Sequence, residues 1–246
     1  LREWSGLWKI TNNSLHNTKL SYQFLFDVLK ARQDDFRFRY NPEGLKTQST
    51  TSIVHGLDVT QTFGDKTFLE AGLRQNYHDY TDYKYKDVND PRYDAAGTTH
   101  TDPDYEFDTA VLNGVDLGRF AQKTNAILFK TSLNSQVDAN NLVKVGLDLQ
   151  VPKVSFGEPG HLAFTINRDT GKEALQRYDT PKVNTYTPFE ASFYAQDQLE
   201  WQDLTVHPGL RFDYFDARST TPGDLANPAN TISGAPTPPP KATSRK

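Results

Sequence analysis

The chain has 246 residues, enough for one or two globular domains, yet only 36% of them are hydrophobic and 12% are aromatic. Cysteine is absent, which excludes a disulfide scaffold, a thiolate metal site and a cysteine nucleophile. A net charge of -4 without a run of Lys or Arg gives no footprint for nucleic acid, and no apolar stretch of about 18 residues is present to form a transmembrane helix.

The N-terminal segment predicts two strands joined by a turn. Leu7 to Asn13 forms the first strand, and Ser14 to Thr18 forms the turn. The second strand is predicted to run from Leu20 to about Tyr40, because aromatic residues alternate with other residues at both of its ends. The alternating aromatic residues are Tyr22, Phe24 and Phe26 before a polar run, and Phe36, Phe38 and Tyr40 after it.

Two further hairpins follow the same plan of apolar and polar residues in alternation around a short polar turn. The first has arms at 53–60 and 69–77 with its turn at Gly64-Asp65-Lys66. The second has arms at 124–133 and 143–151 with its turn at 138–141. The return arm of this second hairpin has the most regular period-2 pattern in the chain.

The last hairpin, from Ala191 to Phe215, gives the clearest membrane signal. Each arm has one apolar face and one polar face, and each is longer than the 5 to 6 residues typical of globular strands. The arms suit the roughly 9 to 11 residues that a tilted strand needs to cross a bilayer. The apolar positions are Ala191, Phe193, Ala195, Leu199 and Trp201 in the first arm, and Leu204, Val206, Leu210, Phe212 and Tyr214 in the second.

The lengths of the connections predict a barrel with two unlike ends. Short turns occur near residues 14, 64, 139 and 202, whereas the other connections, at about 41–50, 80–122, 157–188 and from 217 onward, are long. Outer-membrane barrels have short periplasmic turns and longer extracellular loops. The predicted fold class is therefore all-β: a transmembrane antiparallel up-and-down β-barrel, with about eight strands in this chain.

Eight strands either close a small barrel filled by its own side chains or form part of a larger one. The absence of methionine and of a recognisable signal peptide at Leu1, together with the Pro-rich stretch before Lys246, leads us to expect an internal fragment of a larger barrel. Residues 1–246 are then one partial barrel domain.

Two motifs resemble the barrel of TonB-dependent outer-membrane receptors. Tyr194–Trp201 (YAQDQLEW) followed by Leu204–Tyr214 (LTVHPGLRFDY) resembles the family hairpin YxQDxxxW…LTLNxGLRYDYF. Asn141–Leu149 (NLVKVGLDL) resembles the strand that usually precedes it. His207-Pro208 departs from the family pattern, and a proline within a strand removes a ladder donor.

The resemblance covers residues 124–216 well and the first half only by its hairpin plan. It implies a 22-stranded barrel in a Gram-negative outer membrane, a plug domain upstream of this chain, and ligand import powered through the TonB complex.

The segment from Lys84 to Asp108 combines many acidic residues with tyrosines. We predict that the tyrosines contact ligand, since they offer amphipathic area of the kind that binding surfaces use; they would otherwise brace the rim of the barrel. The acidic residues could hold Ca²⁺, but their spacing is not that of an EF-hand, and a solvated acidic loop is the preferred interpretation. The tyrosines in this segment and just before it are Tyr80, Tyr83, Tyr85, Tyr93 and Tyr105.

No motif argues for catalysis, a cofactor or a metal. The six histidines lack HExxH or paired spacing, and no GxSxG, GxGxxG or Walker A pattern occurs. The lone His55 on an apolar face is interpreted as a local packing feature. Arg211 and Asp213 share a face assigned to the lumen, where a structural ion-pair role is the default, and Trp8 and Trp201 suit the periplasmic aromatic belt.

The predicted function is uptake of a scarce ligand across the outer membrane, energised by TonB and received by the loops at 80–122 and 157–188. An iron-siderophore complex, a corrinoid and an oligosaccharide remain open as ligands. Outer-membrane lipid and the TonB complex are the expected partners. A passive porin-like channel and a surface β-sheet adhesin are the alternatives.

Overall fold

The computed structural model describes residues 1–95, 106–107, 110–166, 173–221 and 243–244. The strands, in chain order, are β1 (Arg2–Leu15), β2 (Thr18–Ala31), β3 (Thr47–Phe63), β4 (Thr67–Tyr83), β5 (Glu106–Phe107), β6 (Ala110–Val111), β7 (Phe120–Gln136), β8 (Asn141–Glu158), β9 (His161–Ile166), β10 (Glu173–Tyr178), β11 (Lys182–Tyr186), β12 (Phe189–Trp201), β13 (Leu204–Val206), β14 (Gly209–Asp216), β15 (Thr220–Thr221) and β16 (Thr243–Ser244). One short helix, α1 (Arg92–Ala95), and two 3₁₀ turns (Phe36–Phe38 and Pro42–Gly44) complete the elements. Among the described residues, no helix is long and apolar enough to cross a membrane.

The long strands form one antiparallel sheet in which neighbours along the chain are neighbours in space. Its order is β1-β2-β3-β4-β7-β8-β12-β13, with β11 also paired to β8 and β14 also paired to β12. This topology confirms the predicted all-β, up-and-down antiparallel architecture. The described sheet is open and does not close into a barrel, and β1 lies at one edge.

Two prolines interrupt strands without shifting their register. Pro188 separates β11 from β12, yet both strands pair with β8 in the same register. Tyr186 of β11 lies opposite Val154, and Glu190 of β12 lies opposite Gln150. Pro208 separates β13 from β14 in the same way, and its carbonyl accepts a hydrogen bond from Asp197 N at 2.9 Å. A proline lacks the N–H that the ladder needs, so each break is local. The sheet thus has the eight passes that the sequence predicts.

Alternation divides the sheet into an apolar face and a polar face. Cross-strand neighbours on the apolar face are themselves apolar, as where Leu73 lies between Leu57 and Phe129. The apolar run of β8 extends from Val143 to Val151, about 30 Å of strand at about 3.3 Å per residue. At a tilt near 40° it covers about 23 Å of height, close to the roughly 25 Å apolar band of outer-membrane barrels.

The upper limit of the apolar band descends along the sheet. Val28, the last apolar residue of β2 on the apolar face, lies opposite Thr51, while the apolar run of β3 begins about two residues later at Ile53. The same step separates Tyr77 of β4 from Ile127 of β7. A third step occurs between β12 and β14, where Phe189 faces Asp216.

Averaged over the sheet, these steps amount to about one residue per strand. With about 3.3 Å per residue and about 4.8 Å between strands, they correspond to a strand tilt of about 35°, within the range of membrane barrels.

One sequence prediction about the connections is wrong. β2 ends at Ala31, not near Tyr40, because Asp35 caps a 3₁₀ turn at Phe36–Phe38 through Arg37 N. The long connections contain α1, a β5–β6 pair and a β9–β10 hairpin in their described parts.

Candidate ligand-receiving surface

Arg211 organises charge on the polar face of the sheet. Its Nε donates to Asp213 Oδ1 at 2.8 Å on the same strand, and its Nη1 lies 3.6 Å from Asp148 Oδ2 on β8. Its Nη2 donates to the Ser192 hydroxyl on β12 at 2.7 Å. One guanidinium therefore joins three neighbouring strands through a charged face.

A glycine and a tyrosine fit together beside this network. A Cβ on Gly146 would lie only 2.3 Å from Tyr194 Cζ, so the tyrosine ring occupies the space that the glycine leaves. The Arg211 guanidinium lies 5.8 Å from the centre of that ring. Farther along the sheet, Arg74 pairs with Asp58 at 3.1 Å. These side chains line a groove of about 980 Å³ on the polar face.

Three long connections lie at one end of the sheet, and short turns lie at the other. We name them connection A (32–46), connection B (84–119) and connection C (159–181), and together the loop layer. Their described parts pack against one another, as the following contacts show.

Connections A and B share a small apolar core. Phe38 and Leu45 of connection A are buried against Val111 of connection B. Asn41 Nδ2 donates to the Gly114 carbonyl at 2.8 Å. This hydrogen bond spans 73 positions in sequence, so the core joins segments that are distant along the chain.

Connections B and C share a second core. Val88, Tyr93, Val115 and Leu162 are buried together, with Tyr85, Leu117 and Leu175 packed against them. An ion pair between Arg177 and Asp94, at 2.6 Å, crosses from the β9–β10 hairpin to α1. The loop layer is therefore one packed unit in its described parts.

Arg119 ties the second core together. It is only 7% exposed, and it donates to the carbonyls of Tyr85 and Lys86 at 2.7 Å each, to the Pro159 carbonyl at 3.1 Å and to the Tyr93 hydroxyl at 2.9 Å. These acceptors lie in connections B and C. Its four neutral oxygen partners replace water around a buried cation.

Charges on the rim are paired both within connection B and between connections. Asp90 accepts from Arg92, and this hydrogen bond lowers the pKa of the Asp90 carboxyl to about 2. Burial lowers the pKa of Lys84, whose Nζ donates to the Glu43 carbonyl. Within the part of the chain that the structure describes, no cluster of three or more His, Cys, Asp or Glu side chains is placed to hold a metal.

An open cleft of about 440 Å³ lies between connections A and B. Lys46 in its wall pairs with Asp82 at 3.0 Å. The cleft presents both signs of charge and one aromatic ring, a mixture suited to a polar ligand. Its lining includes Asp34, Asp35, Phe36, Arg37, Lys46 and Asp116.

Comparison with known protein families decides the assignment. The profile described as TonB-dependent receptor-like, β-barrel, matches residues 5–238. The chain belongs to this family. The family places this receptor barrel in the Gram-negative outer membrane, in agreement with the predicted localisation.

A solved structure shows a related fold. The receptor barrel is similar to the outer-membrane transporter YddB from Escherichia coli, with 16% identity and a TM-score of 0.64 over 86% of this chain. A ferric-catecholate import receptor, Fiu from E. coli K12 in an open form, gives 10% identity, a TM-score of 0.45 and 88% coverage of this chain. The chain spans 27% of the YddB chain and 41% of the Fiu chain. No curated protein sequence matches.

The predicted tyrosines of the receptor barrel have unequal surroundings. Tyr93 is 1% exposed and forms a T-shaped pair with Tyr85 at 4.9 Å. Tyr83 lies beneath the Arg119 guanidinium at 4.9 Å, and the Tyr80 ring lies 6.1 Å from Phe120. Tyr105 lies outside the described residues. Ligand contact by these tyrosines stays a prediction, and Tyr93 has the least surface to offer.

The other predicted residues occupy both faces of the receptor barrel. Trp8 and Trp201 lie on the apolar face and are 70% and 72% exposed. Arg211 and Asp213 lie on the polar face, in the contacts given above. The belt and lumen assignments themselves stay predictions. His55 Nε2 lies 3.0 Å from Gln75 Oε1, a cross-strand contact on the apolar face.

Sequence reasoning missed two features of the rim. Arg119 was not singled out, and the cleft between connections A and B was not expected, because connection A was assigned largely to a strand. The polar run Arg32-Gln33-Asp34-Asp35 was the available signal for a strand end.

Proposed function

We propose that the chain is the barrel portion of a receptor that imports a scarce ligand with energy delivered by TonB. The packed loop layer carries this proposal. Loops that share two buried cores present a fixed surface, and a fixed surface binds a ligand at lower entropic cost than mobile loops. Iron-siderophore complexes, corrinoids and oligosaccharides are the ligand classes that we propose, and we propose no catalytic role.

We further propose that the receiving surface combines half-buried tyrosines with the cleft. Tyr80, Tyr83 and Tyr85 supply amphipathic contact area, and Tyr105 belongs to the same proposal. Tyr93 has a bracing role, since its hydroxyl already binds Arg119 and the Tyr85 carbonyl.

The polar face is proposed to line the lumen of a larger barrel of about 22 strands. In that arrangement Arg211 and Asp213 face a plug domain encoded upstream of Leu1. Their ion pair is exposed in the described sheet, with half of the Arg211 side chain accessible, and an exposed pair of this kind contributes little stability. A plug would exclude water from it and strengthen it.

Transport assays on the full-length protein test this proposal. The full gene is expressed in E. coli with and without tonB, and accumulation is measured for iron-loaded catecholate and hydroxamate siderophores, cyanocobalamin and maltodextrins. We expect one probe class to accumulate only in the tonB-positive strain. Equal accumulation in both strains would overturn TonB energisation.

The charged groove also favours a second candidate, a passive channel. Full-length protein inserted in a planar bilayer distinguishes the two functions. A plugged receptor should show no steady conductance, whereas stable open pores would support the porin-like function. A variant lacking 84–119 that assembles normally but loses binding would locate the ligand in the loop layer.

A further inference from the structure

Among the described residues, the cations on the apolar face lie along the upper border of the apolar band. Arg2 and Lys30 come one position above the last apolar residues of β1 and β2 on that face, and Lys153 holds the same place on β8. Lys123 of β7 lies one position higher, diagonal to Lys153. Diagonal neighbours on one face of a sheet are about 7–8 Å apart.

The lower border of the band has a different composition. Its flanking positions on the apolar face carry mainly amide and hydroxyl side chains, and the charged residue at this level, Asp197 opposite Val143, is acidic. The amide and hydroxyl residues are Asn12, Thr18, Gln61, Thr67, Ser135 and Asn141. The charge asymmetry therefore follows the two borders of the membrane, since these lower positions adjoin the short turns.

Most of the upper cations lack a carboxylate partner in the described ranges. Lys123 pairs with Asp79 at 3.2 Å, but no ion pair is found for Arg2, Lys30 or Lys153 across residues 1–95, 106–107, 110–166 and 173–221. Arg2 and Lys30 even lie directly opposite each other. Like charges in opposed positions destabilise a sheet, unless an anion lies between them.

We propose that this cationic border binds the phosphate groups of a phosphorylated glycolipid in the outer leaflet. Arg2 and Lys30 form one contact point, and Lys123 with Lys153 forms the second. The two points are separated by three strand spacings, about 14 Å. Asn125, directly opposite Lys153, adds an amide to the second point.

The position of the cations at the edge of the apolar band explains why they would bind lipid phosphates. At the upper limit of the band an ammonium group reaches the headgroup level while its aliphatic stem stays on apolar surface. A juxtamembrane cation near an anionic surface strengthens binding by about a factor of five. The lower border, where the described residues place no cation on this face, should show no such preference.

The experiment measures binding of diphosphorylated lipid A to the full-length receptor in nonionic detergent. Dephosphorylated lipid A with the same acyl chains and inorganic phosphate serve as the other two probes. The test variant is Lys30→Gln/Lys153→Gln, which removes two unpaired lysines. Its matched control is Lys19→Gln/Lys66→Gln, which removes equal charge near the short turns.

We expect the test variant to bind diphosphorylated lipid A about 25-fold more weakly than wild type, a factor of about five for each lysine. The control and Lys30→Arg/Lys153→Arg should bind as wild type does. Heat-modifiable mobility establishes that each variant is folded. Equal affinity of the test variant, equal affinity for dephosphorylated lipid, or displacement by an equal concentration of inorganic phosphate would each overturn the proposal.

Discussion

Replacing Arg119 with methionine should loosen the loop layer without unfolding the sheet. The side chain is buried and lies just before β7, so its hydrogen bonds act on connections B and C and not on the ladders between long strands. Methionine preserves much of the length and apolar stem of arginine, which limits the effect of a cavity.

The magnitude follows from the four hydrogen bonds. Each hydrogen bond to a charged group contributes about 1.5–3 kcal/mol, which gives a gross contribution of at least about 6 kcal/mol. Burial of a guanidinium without a carboxylate partner opposes this by several kcal/mol. A net loss of about 3 kcal/mol is expected, and it corresponds to an increase of roughly a hundredfold in the open population of the loop layer.

Hydrogen exchange of the full-length protein in detergent measures this opening. Amides of residues 85–93 should exchange about a hundredfold faster in Arg119→Met, while those of β3, β4 and β7 should keep their protection. Arg92→Met is the matched control, because Arg92 forms an ion pair at the surface, and such pairs contribute little to stability. Unchanged exchange at 85–93, or equal acceleration throughout the sheet, would refute the reasoning.

Four further perturbations probe the sheet and the rim. Gly146→Ala should cost about 1–2 kcal/mol in urea unfolding because its Cβ meets Tyr194, and almost nothing in a Tyr194→Ala background. Leu147→Arg, at the middle of the apolar run of β8, should cost about 2–4 kcal/mol in lipid vesicles; full stability would show that this face does not contact lipid. Burial raises the pKa of Tyr93, so the stability it contributes is present below pH 10 and is lost as pH rises through the raised pKa; the tyrosinate absorbance missing from Tyr93→Phe should appear only above pH 10. Trp201→Asp should impair membrane assembly, and normal heat-modifiable mobility would count against its belt position.

The strands could be predicted because one physical requirement acts on every second residue. A face in contact with lipid must be apolar at each position, so the alternation in β8 or β12 is local and readable. The short turns could also be predicted, because a tight turn places its own requirement on local residues. Gly64, in the turn between β3 and β4, adopts a positive φ of 67°, which glycine tolerates best.

The end of β2 could not be predicted from alternation alone. Phe36, Phe38 and Tyr40 repeat the spacing of a strand, but the spacing does not show which neighbours the rings find. Phe38 is buried against Leu45 and Val111, while Phe36 and Tyr40 are 74% and 67% exposed. A contact with Val111, far along the chain, decides the local structure.

The candidate site could be predicted only in part, because it too depends on contacts between residues far apart along the chain. Tyrosines and acids in connection B are visible as composition, but the loop cores join residues from separate connections without any period. Arg119 illustrates the difficulty, because a single arginine before a strand belongs to no recognisable sequence pattern. Its role is visible only in the structure, where four oxygen acceptors surround it.

The shared cores of the loop layer have a consequence for changing ligand specificity. A single connection grafted from another receptor would carry side chains that pack against that receptor's own loops. It would not fit the buried contacts that Phe38 and Leu162 make with neighbouring connections here. Connections A, B and C must therefore be exchanged as one block, and natural divergence of this rim should proceed by linked substitutions in segments that are far apart in the gene.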